Sequence, residues 1–335
     1  MKDQISYSVV IRTLGNTGEK YNRLLQSIAK QTVVPKEIIV VIPYGYDLDY
    51  KLGNERIVYC EKGMVTQRAI GIQQASSEYM LVVDDDLEFP IDFVERVYEY
   101  LMEYQLDCAL CFGGYDVTKE VRSISFKEKM NNFLKRVRGA YTGQSFISNR
   151  KSPFFDKITV TAGHKTYANG GVNGCRYAQT GCFQCFFVKT KTAQDVHLEE
   201  EKWLEDGSIS RYAAYDDAVY FYKLFLQGGK IAYADNTDYA HLDAAIGRQA
   251  KDKVTAKRIR LYTIAKNRTI FWYKFIWQQR NSFGRGVYVL MGGVYAFLNY
   301  TIYNLIINCI PKYWSVISAM FHGYKEAFSY IRKIR

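Results

Sequence analysis

Proline is scarce, with 5 in 335 residues. Repeats and low-complexity runs are missing as well, which excludes a proline-rich linker, a collagen-like chain and a solenoid. The opening MKDQISYSVVIRT has charge where a signal peptide has an apolar run, so export by that route is not expected. Acidic residues almost vanish from the end of the chain. Residues 246–335 hold only Asp252 and Glu326 against 16 Lys and Arg, a local charge of +14 within a net +11. The body before Ile246 is therefore slightly acidic, and its basic end calls for an anionic partner: a membrane surface, nucleic acid or an acidic polymer.

What is present suits a folded protein. Hydrophobic residues make up 48% and charged residues 24%, enough to fill a core and too balanced for disorder. The length fits one large α/β domain with an appendage, or two modest domains. Aromatics reach 16%, including 29 tyrosines. Tyrosine suits surfaces that are half apolar and half wet, such as sugar sites and membrane interfaces, although a biased background would give the same count. Cys108 and Cys111, and Cys182 and Cys185, form two C-x-x-C pairs with Cys175 nearby. Both pairs lie in apolar, strand-like text, where residues i and i+3 face opposite ways. Reduced, buried core thiols are expected rather than zinc ligands.

Apolar runs at Tyr7–Arg12, Glu37–Pro43 and Tyr79–Val83 read as buried strands. Helical spacing over Tyr21–Gln31, Thr66–Ala75 and Phe93–Tyr104 places helices between and after them. Alternation of this kind predicts βαβ units and a mostly parallel sheet with ligands at the carboxyl ends of its strands. Further on, Phe126–Arg138 reads as a basic amphipathic helix and Gly163–Gly181 as a polar, glycine-rich loop. Phe183–Lys189 and Lys230–Ala234 read as strands, and Tyr215–Leu226 as a helix stopped by Gly228 and Gly229.

Asp84, Asp85 and Asp86 directly follow the third strand. Adjacent carboxylates repel unless something positive sits among them, and a divalent cation with oxygen ligands is the simplest answer. A solvated acidic turn is the alternative. Asp216 and Asp217 open a helix, where the dipole alone favours carboxylates. His241 lies in DYAHLDA after a strand; a lone histidine is usually structural, and His164, His197 and His322 are read that way.

Taken in order, YSVVIRT, LLQSIAKQTVVPKEIIVV, TQRAIGIQQASSEYMLVVDDDLEFP, YDDAVYFYKLFLQGGKI and AHLDA resemble the family 2 glycosyltransferases of GT-A fold, over about residues 6–245. The resemblance implies a Rossmann-like, mostly parallel sheet flanked by helices. It divides 1–245 into a nucleotide-sugar-binding half, 1–117, and an acceptor half, 118–245. By motif, Asp84 and Asp86 correspond to the ends of the DXD motif, with Asp86 the metal ligand and Asp84, with Asp85, on the nucleotide side. Asp217 corresponds to the general base, His241 to a late histidine near the metal, Arg68 to a helix arginine facing the nucleotide, and Thr13 to the residue meeting the base. The implied cofactors are Mn²⁺ or Mg²⁺ and a UDP-, GDP- or dTDP-linked sugar. Pro43 and Tyr44 stand where the family commonly has an aspartate, and Ala69 where it often has an asparagine, which leaves the nucleotide open.

The end of the chain has its own pattern. Lys251–Arg260 is dense in charge, and Leu261–Arg280 interleaves aromatics with Lys and Arg. Gly286–Ile310 then runs 25 residues without a charge, enough to span a bilayer or lie in its interface. Pro311 marks a turn before a basic amphipathic helix over Tyr313–Arg335. The ending GYKEAFSYIRKIR resembles tails of bacterial O-antigen and capsule glycosyltransferases. Residues 246–335 are thus expected to form a helical, membrane-associating region at the cytoplasmic face of the inner membrane, with a lipid-linked or glycan acceptor and no nucleic acid. A buried soluble bundle, a nucleotidyltransferase and a non-catalytic sugar- or nucleotide-binding protein of the same fold are the rival readings.

Overall fold

The computed structural model describes residues 5–111, 154–159, 174–208, 211–235, 237–242, 252–279 and 282–335. The expected helix over Phe126–Arg138 and most of Gly163–Gly181 lie outside the described residues. The chain divides into two compact units. One comprises 1–122, 171–202 and 220–247; the other comprises 123–170, 203–219 and 248–335.

In the first unit, β1 (Tyr7–Arg12), β2 (Glu37–Pro43), β3 (Glu55–Cys60) and β4 (Tyr79–Asp84) pair in parallel in the order β3-β2-β1-β4. The central runs are rich in Val and Ile and buried on both faces, as a sheet sandwiched by helices requires. Three helices supply the cover: α1 (Glu19–Ala29), α2 (Met64–Gln74) and α3 (Phe93–Glu103). Helix α1 buries Tyr21, Leu24, Leu25 and Ile28, and α3 buries Phe93, Val94, Val97 and Leu101, each on one apolar stripe. Helix α2 lies closer to the sheet. A Cβ at Gly71 would sit 2.5 Å from Val10 Cγ1, so glycine sets that approach.

Beyond β4 the sheet becomes mixed. Strands β6 (Cys108–Leu110), β7 (Cys175–Tyr177), β8 (Cys185–Lys189) and β9 (Ile231–Ala234) extend it in the order β4-β8-β6-β9-β7. Strand β8 is antiparallel to β4 and β6, and β6 and β9 are parallel. A separate two-residue ladder joins β5 (Leu87–Glu88) to β10 (Ala240–His241). The expected mostly parallel α/β architecture is present, with β3 as an edge strand not anticipated from the sequence. Cys108, Cys111 and Cys185 are buried, and burial raises the thiol pKa of Cys108 and Cys185. Cys182 departs from the expected core position. It is exposed because it falls in the turn before β8, which begins two residues later than the apolar run.

Two further helices follow in chain order, α4 (Thr190–Gln194) and α5 (Asp216–Leu226). The second unit is helical at its end. Helix α6 (Lys253–Phe271) starts at Asp252, whose carboxylate accepts the Val254 and Thr255 amides at 2.9 Å. It continues into a π-helical turn, Trp272–Trp277. Helix α7 (Phe283–Ile307), a short turn at Pro311–Tyr313 and helix α8 (Trp314–Ile334) follow. Leu261 and Ala265 of α6 pack with Val316, Met320 and Tyr324 of α8. The two helices touch backbone to backbone at Gly323, where a Cβ would lie 2.3 Å from the Tyr262 carbonyl. Asn267 donates to the Leu204 and Ala214 carbonyls at 2.6 and 2.8 Å, which ties 203–219 to this helical segment.

Candidate active site

The carboxyl ends of β1 and β4 are adjacent, with Arg12 opposite Asp84 in the register. Three acids in a row leave β4 there, and each meets a different partner. The Asp84 carboxylate lies 3.3 Å from the guanidinium of Arg12 and 3.3 Å from that of Arg68. Arg68 projects from α2, is buried, and lies with its guanidinium 4.3 Å from the centre of the Phe183 ring. Asp85 accepts hydroxyl hydrogen bonds from Thr13 at 2.5 Å and Thr17 at 2.7 Å. Asp86 turns the other way, and its Oδ2 lies 3.3 Å from His241 Nε2.

Backbone geometry holds these groups in place. Thr13 bonds the Val41 carbonyl through its amide at 3.2 Å, and its own carbonyl accepts from the Gln67 amide at 2.9 Å. The Gly15 amide donates to Thr13 Oγ1 at 2.9 Å. Gly15 has φ 74°, and a Cβ there would lie 2.0 Å from the Asp47 carbonyl oxygen, so no other residue fits this turn. Strand β10 pairs His241 with Leu87, and the Leu242 amide bonds the Asp86 carbonyl at 2.8 Å. The short ladder therefore brings a distant histidine beside the third aspartate.

Of the sequence candidates, Thr13, Arg68, Asp84, Asp85, Asp86 and His241 gather in the first unit. Asp217 belongs to the second unit and stands in the first turn of α5 (Asp216–Leu226). Its carboxylate accepts the neighbouring Ala218 amide at 2.7 Å. Tyr215 just before the helix has φ 75°, a strained conformation for a non-glycine residue. Arg12, Thr17, Gln67 and Phe183 were not expected at the site. Thr17 carried a weak signal, a second hydroxyl in the TLGNTG loop after β1.

Asp84 and Asp85 are engaged by guanidinium and hydroxyl groups, and the Asp86 carboxylate and the His241 imidazole lie side by side, 3.3 Å apart. Oxygen and imidazole suit Mn²⁺, and Mg²⁺ commonly takes one or two carboxylates and completes its shell with phosphate and water. Among the described residues no cluster of three or more His, Cys, Asp or Glu forms a closed cage. The pair fits an open site that a bound phosphate would complete.

The structure thus combines a mixed α/β sheet, a row of acids at the carboxyl end of β4 and an arginine on the covering helix α2. Residues 51–158 match the family described as Glycosyl transferase family 2, a segment that includes Arg68 and Asp84–Asp86. The chain is 25% identical over 241 residues to Glycosyltransferase GlyA of Streptococcus pneumoniae, covering 69% of this chain and 30% of that protein, so the chain spans under a third of its relative's length. Among solved structures, Staphylococcus aureus TarS 1–349 aligns at 13% identity with a TM-score of 0.42, covering 99% of this chain and 92% of that one. A Pyrobaculum calidifontis mannosyltransferase in complex with GDP-Man and Mn²⁺ aligns at 10% identity with a TM-score of 0.46, covering 97% and 88%.

Proposed function

We propose that this chain is a metal-dependent, inverting glycosyltransferase that moves a sugar from a nucleotide-sugar to a lipid-linked or surface-glycan acceptor at a membrane face, in polysaccharide biosynthesis. The observation that carries this reading is the constellation at the β1 and β4 ends: one buried arginine, two threonine hydroxyls, three acids and a histidine, of which Arg68 and the three acids lie within the family-matched segment. Asp86 and His241 are the residues that would hold a divalent cation, which would supply charge stabilisation to the departing nucleoside diphosphate.

The chain's own groups divide the remaining work. Arg68, fixed by Asp84 and Phe183, offers a preorganised positive charge near the departing diphosphate. Thr13 and Thr17 hold Asp85 on the nucleotide side. Asp217 takes the proton from the attacking acceptor hydroxyl. Water competes as a nucleophile, so a closed site favours the acceptor. The pneumococcal relative is named a glycosyltransferase, which supports the class of reaction.

The membrane part of the proposal rests on α7. It is one helix long and apolar enough to cross a bilayer, and Tyr288, Met291, Tyr295 and Ile306 on it are exposed. Basic residues stand at its two ends, Arg285 in its first turn and Lys312 after its last.

The test is a panel of UDP-, GDP- and dTDP-sugars with Mn²⁺, read by thermal shift and by release of nucleoside diphosphate. One donor class is expected to stabilise the protein and to be turned over, and Asp86→Ala to abolish both effects. Near-normal turnover by Asp86→Ala would remove the assigned cation site. Release of pyrophosphate would identify a nucleotidyltransferase instead.

A further inference from the structure

The second unit contains a cavity of about 250 Å³ among α6, the π-helical turn, α7 and α8, lined by Arg268, Trp272, Leu290, Val294, Phe297 and Phe328. The volume is below the roughly 300–1,000 Å³ of sites that enclose whole small ligands, so it suits part of a larger molecule. Most of the lining is apolar. Its hydroxyls are already engaged: Thr269 donates to the Ala265 carbonyl at 2.7 Å, and Tyr324 shares a hydrogen bond with Thr301 at 3.1 Å.

Arg268 is different. It is 7% exposed, the Tyr300 ring lies 5.1 Å from its guanidinium, and the groups that act on its charge are the tyrosines Tyr215, Tyr324 and Tyr300. Among the described residues no carboxylate or carbonyl accepts a hydrogen bond from it. Guanidinium does not give up its proton, so a buried arginine needs a counter-charge or a strong acceptor. Residues 246–335 offer none to spare. Asp252 caps α6, and Glu326 takes the Tyr262 hydroxyl and lies 3.4 Å from His322. Burial lowers the pKa of the Arg268 guanidinium, the direction expected for a charge lacking compensation.

The mouth of the cavity adds a second property. Leu290 and Val294 line it and are also about half exposed on α7, so its apolar wall is continuous with the exposed face of that helix. A molecule reaching Arg268 along this wall meets hydrocarbon first and a cation last. We propose that the cavity binds one anionic membrane phospholipid, with its phosphate on Arg268 and the start of a hydrocarbon chain along Leu290, Trp272, Phe297 and Phe328. This deepens the membrane placement above and rests on it. An Arg–phosphate pair is charge-assisted and commonly bidentate, which supplies the acceptor that Arg268 lacks.

The test uses the full chain and monomeric short-chain lipids below their micellar concentration, so that surface adsorption does not contribute. Titration calorimetry compares dihexanoyl-phosphatidic acid, dihexanoylglycerol and inorganic phosphate. One phosphatidic acid per chain is expected, bound at least about tenfold tighter than either fragment. Arg268→Met should abolish the preference for the acid over the neutral lipid. Leu290→Trp, which blocks the mouth without changing charge, should abolish binding of both lipids. Circular dichroism checks that each variant is folded, and the wild-type comparison stands by itself if one is not. Equal binding of acid and neutral lipid overturns the proposal, as does tight binding of phosphate alone. A concentration-dependent dimer that Leu290→Trp dissolves would also overturn it by assigning the cavity to a second copy. Release of nucleoside diphosphate, measured on the same samples, reports on the sugar-transfer reading independently.

Discussion

At the residue scale, the three aspartates after β4 illustrate how neighbouring identical groups acquire separate roles. Asp84 meets two guanidinium groups, Asp85 two hydroxyls and Asp86 an imidazole. Mutual repulsion is relieved by distributing partners from β1, its following loop, α2 and β10. The proposed base is separable from this group. Asp217→Asn keeps the shape and a hydrogen-bond acceptor for the Ala218 amide but removes the proton acceptor. Donor binding by calorimetry should survive while transfer falls by roughly 10² to 10⁴-fold, the usual size of a general-base contribution. Parallel loss of donor affinity would give Asp217 a structural role instead.

At the element scale, short non-local strands hold the mixed half of the sheet together. Asp107, just before β6, accepts Lys189 Nζ and the Lys230 amide, both at 2.9 Å, and so links the ends of β8 and β9. Burial works to raise its pKa, but Lys189 and the Lys230 amide outweigh it, and the carboxyl pKa lies below its ordinary value. A depressed folded-state pKa gives stability that is present above the unfolded value of about 3.9 and is lost as pH falls through the folded value. Wild-type protein should therefore lose stability below about pH 4 more steeply than Asp107→Asn, as followed by urea midpoints across that range. Identical slopes would show that the pair does not contribute.

These same elements mark where the sequence was readable. Long apolar runs and 3.6-residue periods revealed β1, β2, β4 and α1–α3 within a residue or two, because local pattern and burial agree there. Strand β3 escaped notice because its edge position leaves it half polar, ERIVYC, without alternation or a continuous apolar run. The ladders at β5, β7 and β10 span two or three residues and owe their existence to partners far along the chain. The site followed the same division. The acids, Arg68 and His241 were visible by type and order, whereas the contacts of Arg12, Thr17, Gln67 and Phe183 depend on which strand ends become neighbours.

At the scale of the whole molecule, charge and hydrophobicity are concentrated in the last 90 residues, and the membrane proposal combines the two. The protein should sediment with anionic vesicles. High salt should release only part of it, because salt screens charge over about a Debye length and leaves apolar burial intact. Detergent should release the rest. A chain that remains in the supernatant at low salt with vesicles present would make the exposed face of α7 a contact surface between proteins.

The two-residue ladder between β5 and β10 sets the order in time in which the proposed cation site becomes available. Its hydrogen bonds close a very long stretch of chain with little cooperative length of their own. Such a ladder forms late and opens early, well before the central sheet loosens. Asp86 and His241 are therefore expected to come together late in folding. A nascent or locally opened chain keeps its acids and its arginine but lacks the paired donors, so the proposed cation would be held only by the finished fold.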